Sequence, residues 1–439
     1  MRDRSLSVFP GTLRKVLAKV FGGSASNVFK GMATLALGSG IARIIGIAAI
    51  PVLTRLYGPE DFGVLAVFSA LLSILAPLLT LRYVLAIPLP RHDGMAFNLL
   101  MLSAGLMLIM TLSISLLLWV FGVQLLAIFS MEELAPWWWL ISLGLLASAS
   151  YEMLTLWATR RRNYRVIART SVWQSATSSI VKIGLGLLAL KPAGLLIGQV
   201  VASGGGIGSL LRGFGGEFRD NWRFLRWSRM RKAAWRHRGF PYFRVPSQFL
   251  LAISSQAPLL FMAALYDANT TGQFGLALMA LGLPLQLFGR TLAKAFYAEA
   301  ANLGHKRPSE VRSMAHAVIK RLAFFSLLPA IVLLFFGPML FSLAFGDEWI
   351  QAGAFASILA VYLVFQFVQT PVAHIFYIFD GQKKLLILNL QRVLLLIFCF
   401  GASYMLSLTP EATIWIYALT LSAHYLLSTV YALRFIPSS

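Results

Sequence analysis

Gln286, Arg290 and Lys294 follow one another at i, i+4 and i+8 inside an apolar stretch, so a helix there stacks all three on one face. Ser39 and Arg43 stand one turn apart in a second apolar stretch. Gln366, Thr370 and His374 repeat the spacing in a third. Arg82 interrupts a fourth and Glu152 a fifth. The basic members suit an anion, and arginine suits phosphate in particular, because its planar fork donates paired hydrogen bonds. Bond-breaking chemistries find little support. Ser203-Gly204-Gly205-Gly206-Ile207-Gly208 lacks the lysine of a phosphate-binding loop and reads as close helix packing. There is no HExxH, and the six histidines lack ligand spacing. No Ser/His/Asp set falls at a common depth. The single cysteine, Cys399, allows neither a disulfide within the chain nor a cysteine metal cluster, and reads as a small core residue.

The elements that must position these residues are membrane spans. The chain is 58% hydrophobic and only 12% charged, against about 25% charged in soluble proteins. With ~20 apolar residues per crossing, twelve spans are expected. The first six are 31–54, 64–87, 95–121, 134–158, 166–190 and 192–211. The second six are 243–266, 272–298, 320–345, 350–379, 384–407 and 411–434. Residues 1–30 form no signal peptide. Val8, Leu13, Val16, Leu17 and Val20 recur at helical spacing beside Arg14, Lys15 and Lys19, as in a helix lying on the membrane surface.

Charge assigns the sides. Of 38 Lys and Arg residues, 31 fall on alternate segments: the N-terminus, Arg91, Arg160–Arg169, the central stretch, Lys306–Arg321, Lys383/Lys384/Arg392 and Arg434. The opposite segments hold Arg55 and Lys191 with Glu60, Asp61, Glu132, Glu133, Asp267, Asp347, Glu348 and Glu411. By the positive-inside rule both termini are cytoplasmic. The central stretch Arg212–Arg244 holds ten basic residues with interleaved Trp and Phe. In isolation it suggests nucleic-acid binding. Between two apolar halves it reads as a cytoplasmic connector whose charge contacts anionic lipid head groups, and no nucleic-acid role is expected. The expected organisation is a cytoplasmic amphipathic segment (1–30), an N-lobe (31–211), a basic connector (212–242) and a C-lobe (243–435).

Arg43, Arg82, Lys182, Arg290 and Lys294 are basic residues within spans, against Glu152 and Glu299. Each charge costs at least ~2.5–3.5 kcal/mol near a helix centre. These stripes are therefore expected to face an aqueous cavity between the halves. Snorkelling is the alternative for Arg82 and Lys294, and pairing with Glu or backbone carbonyls for Arg43 and Arg290. Glu152 reads as a salt-bridge partner or a protonatable coupling group. His374 reads as a titrating group or a hydrogen-bonded core histidine. The halves echo each other: Leu56-Tyr57 and Phe62-Gly63 in the first, Leu265-Tyr266 and Phe274-Gly275 in the second. Aligning the Phe-Gly pairs places Arg82 opposite Lys294. The fold class is an all-α polytopic membrane protein of about 12 helices, in two six-helix pseudo-symmetric lobes around a central cavity.

Several stretches together carry a family resemblance. Ala49–Gly63, with Pro51, Arg55, Tyr57, Gly58, Pro59 and Phe62, resembles the first hairpin of Wzx-type polysaccharide flippases. Arg238–Ser247 is similar to the start of their helix 7, and Thr271–Ala277 through Pro284, Gly289 and Ala298–Ala300 to their helix 8. Phe345–Trp349 and Asp380–Lys384 resemble their later loops. The resemblance covers nearly the whole chain and points to the multidrug/oligosaccharidyl-lipid/polysaccharide exporter superfamily. It implies flipping of undecaprenyl-diphosphate-linked oligosaccharide to the outer leaflet of a bacterial inner membrane, for O-antigen, capsule or exopolysaccharide, with no enzymatic step. It implies no cofactor beyond proton or sodium coupling, and polymerase and chain-length machinery as partners. In that reading Arg43, Arg82, Arg290 and Lys294 hold the diphosphate. Ser39, Gln286, Gln366 and Thr370 are the cavity's polar groups, and Glu152 and His374 are the coupling candidates. The rivals are a cation-coupled multidrug exporter of the same fold and a membrane glycosyltransferase or polymerase.

Overall fold

The computed structural model describes residues 26–284 and 289–437, and every regular element among them is helical. Residues 1–25, most of the expected amphipathic segment, lie outside the described residues, as does Gln286. The first lobe comprises α1 (Ser26–Leu56), α2 (Pro59–Leu79), α3 (Asp93–Ala127), α4 (Trp138–Arg160), α5 (Tyr164–Leu187), α6 (Ala193–Gly204) and α7 (Ile207–Trp222). After α8 (Trp227–Arg236) the second lobe comprises α9 (Val245–Leu265), α10 (Ala268–Pro284), α11 (Arg290–Leu303), α12 (Pro308–Phe345), α13 (Ile350–Val372), the short α14 (Ile375–Ile378), α15 (Gln382–Met405) and α16 (Pro410–Phe435). Each of the twelve expected spans has a helical counterpart among the described residues. Ten helical stretches among the described residues are long and apolar enough to cross a membrane. The remaining two are α5, diluted by polar residues along one face, and the stretch from α10 to α11, whose residues 285–288 lie outside the described residues.

Local chemistry moves several boundaries. α2 begins at Pro59 rather than 64. Pro59 takes the first helical position, where its missing N–H is no loss, and the Gly58 N–H donates to the Asp61 carboxylate at 3.0 Å. α2 also ends early, at Leu79. Leu81 and Arg82 adopt φ of 44° and 58°, and Tyr83–Ala86 is a 3-10 turn. The expected span to residue 87 is therefore corrected: Arg82 lies in a left-handed turn beyond the helix, not on its face. The expected span 192–211 breaks at Gly204–Gly206, where a Cβ on Gly206 would press into Thr170 and Tyr151. That is the close packing expected of this glycine run. α7 then crosses the expected lobe boundary at 211.

The connector is a structured part of the first lobe rather than a free loop. Phe218 stacks edge-on against Trp157, and Trp222 against Phe97. Glu217 accepts from the Trp157 indole (3.0 Å) and from Arg161 (2.6 Å). Buried Asn98 holds the bend before α8, donating to the Phe224 carbonyl and accepting from the Arg226 N–H. Trp227 and Trp235 of α8 remain exposed beside basic residues, the composition of an interfacial helix.

Three buried clusters organise the packing. One fills the first lobe and includes Phe68, Phe97, Leu145 and Trp157. A smaller one, around Phe296, Val311 and Phe376, lies in the second lobe where α11, α12, α14 and α16 meet. Between them a third joins the lobes, with Ile50, Tyr57 and Phe62 of the first packed among Phe274, Trp349 and Phe355 of the second. At this seam a Cβ on Gly63 would collide with the Ala268 carbonyl oxygen, and one on Gly272 with that of Pro59. The contact is reciprocal, as pseudo-twofold symmetry requires, and it equates Pro59 with Ala268 and Gly63 with Gly272. Tyr57 and Tyr266 obey the same register, each donating its hydroxyl to a backbone carbonyl (Lys182, 2.7 Å; Leu408, 2.9 Å). The Leu-Tyr pairs therefore set the repeat, and the Phe-Gly alignment is three residues out. Arg82 falls opposite Thr291, not Lys294.

Candidate functional site

A cavity of about 1020 Å³ lies between the lobes, at the upper end of the ~300–1,000 Å³ usual for ligand pockets. Its first-lobe wall comes mainly from α1 and α5. These helices approach closely because Gly38 leaves room for Ala168, and Ser175 donates across to the Ala42 carbonyl at 2.6 Å. Its second-lobe wall comes from α9, α10, α13, α15 and α16. Arg43 from α1, Lys182 from α5 and Arg392 from α15 all line it. The described lining contains no carboxylate. Lys182 donates to the Gln199 side-chain carbonyl (3.0 Å) and Arg392 to the Ser254 hydroxyl (2.6 Å). None of the three has an ion-pair partner among the described residues. Three cations around one space repel each other, the more so where little water screens them. A bound polyanion would relieve that repulsion.

Ser39 and Gln366 also line the cavity, and Gln366 donates to the Tyr425 hydroxyl at 3.3 Å. Thr370 does not line it; its hydroxyl donates back to the Gln366 carbonyl in its own helix (2.7 Å). His374 lies at the break between α13 and α14, against the Tyr297 and Tyr377 rings. The backbone of Arg290 and Lys294 belongs to α11, and their side chains lie outside the described set. Arg82 and Glu152 meet each other instead of the cavity, at 2.8 Å. The other arm of Arg82 reaches Gln248 at the start of α9 (3.1 Å). Arg82 is thus a bridge between the lobes, and Glu152 is its counter-ion within the first lobe.

Two lining cations carry more weight here than in the sequence reading. Arg392 follows Lys383 and Lys384, and counting it with them assigned it to the cytoplasmic loop. In the structure it lies ten residues into α15, ~15 Å along the helix at 1.5 Å per residue. Lys182 belongs to a face of α5 formed by Ser171, Gln174, Ser175, Ser178 and Ser179, all cavity-lining. Their three- and four-residue spacing was the available signal.

A family model described as polysaccharide biosynthesis protein matches residues 52–354. A search of curated protein sequences finds no match. Among solved structures the chain is similar to the lipid II flippase MurJ in an inward closed conformation. That match has 12% identity and a TM-score of 0.67, and covers 91% of this chain and 86% of that one. It is also similar to a multidrug resistance MATE family transporter of the MOP superfamily in its inward-facing conformation. There the identity is 15% and the TM-score 0.54, with 97% and 98% covered. An outward-facing conformation of a MATE family transporter gives the same identity and TM-score, over 96% and 99%. At such identities the likeness is one of fold, and it agrees with the expected all-α, two-lobed transporter architecture.

Proposed function

Because the chain belongs to the polysaccharide biosynthesis protein family, we propose that it is a flippase for a lipid carrier bearing an oligosaccharide through a diphosphate. The observation that carries this reading is the inter-lobe cavity, with three cations that have no ion-pair partner among the described residues and no described carboxylate. A diphosphate head group bearing sugars cannot cross hydrocarbon unaided. The cavity gives it charge and hydrogen bonds while the lipid tail stays in the bilayer. Alternating access exposes the cavity first to the cytoplasm and then to the outside. The protein works in a bacterial inner membrane with both termini cytoplasmic, supplying O-antigen, capsule or exopolysaccharide assembly and its polymerase. A proton or sodium gradient drives the return step. The exposed Trp and basic residues of α8 rest on anionic lipid.

A cation-coupled drug exporter would require acidic groups facing the cavity, and a glycosyltransferase paired acids at its site. The described lining favours neither. Complementation of a flippase-null strain tests the proposal. Arg43→Ala and Arg392→Ala are each expected to lower surface polysaccharide at least tenfold at matched expression, and Arg290→Ala and Lys294→Ala to lower it as well. Full activity of all four variants removes the cationic-cavity mechanism.

A further inference from the structure

Cations account for the grip on a diphosphate, but not for the polar face of α5. From Ser171 to Lys182 this face runs about 16 Å at 1.5 Å per residue. Its chemistry differs from that of an anion site. Ser171 donates to the Ile167 carbonyl, Ser175 to that of Ala42 and Ser178 to that of Gly198. With their protons engaged, these oxygens offer the cavity acceptors. A diphosphate brings only acceptors of its own, so it gains nothing from them. A sugar hydroxyl or acetamido N–H brings the donor they lack.

Gln174 stands in the middle of this face and lines the cavity. It is 8% exposed, and its side-chain amide nitrogen has no hydrogen-bond partner among the described residues. Buried amide donors are nearly always satisfied, because an unmade bond leaves the full desolvation cost standing. A glutamine kept at such a position is matched to a group that arrives with the substrate. Acceptor oxygens around one unspent donor complement a ring hydroxyl, which both donates and accepts.

We infer that the α5 face reads the sugar of the lipid-linked substrate, with Gln174 donating to a sugar oxygen and the serine oxygens accepting from its hydroxyl or amide groups. The inference rests on the flippase reading. It divides the cavity between a cationic grip common to every lipid diphosphate and a hydrogen-bonding wall that selects the glycan.

The test compares binding of undecaprenyl diphosphate with binding of undecaprenyl diphosphate carrying one N-acetylglucosamine, by native mass spectrometry of the full-length protein in nanodiscs. The wild type is expected to bind the sugar-bearing lipid at least tenfold more tightly. Gln174→Met is expected to narrow that ratio at least fivefold without lowering the thermal midpoint, since it removes an unsatisfied donor. Arg43→Ala is expected to weaken both lipids and keep the ratio. If Gln174→Met does not fold, Ser171→Ala carries the same comparison. Equal affinity of the wild type for the two lipids, or a ratio untouched by the substitution, overturns the inference. Binding of neither lipid by the wild type overturns the flippase reading, and this inference with it.

Discussion

The two seams between the lobes are built from different materials. On the side that the proposed topology places outside, the helices touch backbone to backbone at Gly63 and Gly272, and a shared apolar cluster surrounds the contact. Trp349, fully buried, stacks on Phe62 and donates its indole N–H to the Thr54 carbonyl at 3.0 Å. Gln273 clamps the same loop, donating to the Glu348 carbonyl and accepting from the Ala352 N–H. On the opposite side, proposed to be cytoplasmic, a polar link between the lobes is the bond from Arg82 to Gln248. The charge of Arg82 is balanced by Glu152 within its own lobe, so parting the lobes there separates no ion pair. A seam of packed surface opens only as a whole. The bond from Arg82, charge-assisted, contributes about 1.5–3 kcal/mol and can be broken by itself.

The largest effect is expected from Gly272→Leu, which drives a side chain into the Pro59 carbonyl and wedges α2 from α10. Overpacking typically costs 1–3 kcal/mol, and a backbone collision leaves little room to relax. Transport should fall below about a tenth of wild type. A Ser69→Cys probe in the cavity, in a Cys399→Ser background, should become reactive to an impermeant thiol reagent added outside. An unreactive probe would break the account of the outer seam. Glu152→Gln is expected to do less. It strips the counter-ion from an Arg82 side chain that is 14% exposed. Removing one partner of a buried pair costs about 3–5 kcal/mol, reduced here because the Glu152 side chain is 32% exposed. A fall in thermal midpoint of several degrees, restored by adding Arg82→Met, would mark the pair as internal to the first lobe. Gln248→Ala is expected to do least. At about 1.5 kcal/mol, the lower end for a bond to a charged group, it should raise probe labelling from the cytoplasmic side about tenfold, with the thermal midpoint nearly unchanged. A comparable rise in labelling from outside would abolish the distinction between the seams.

The spans were legible because immersion in lipid demands long, nearly unbroken apolar runs. The details were lost where one signal covered another. Residues 83–87 are apolar, so nothing in hydropathy marks the left-handed turn at Arg82. Lys383 and Lys384 drew Arg392 into their loop. The repeat register rests on a two-residue Leu-Tyr echo, and the neighbouring Phe-Gly pairs offered a competing match. Within the site, Arg43, Ser39 and Gln366 were legible as charges and amides in apolar surroundings. The α5 serines were not singled out, because serine is tolerated throughout transmembrane helices and only its company on one face distinguishes it. Glu152 was read as a salt-bridge partner without a named cation, and finding Arg82 opposite it required three dimensions.

The docking of α8 has a mechanical consequence. Tyr83 donates its hydroxyl to the Ala234 carbonyl, and Ala233 is buried against the first lobe, so the central basic stretch travels with that lobe. Only residues 237–244 remain to tether one lobe to the other, and five of these already form a tight turn. Fully drawn out, such a leash reaches about 27 Å, and far less while the turn persists. The lobes can therefore swing about this strap but not drift apart. Length changes within the strap alter the swing alone, whereas changes between Glu217 and Ala234 disturb the body that swings.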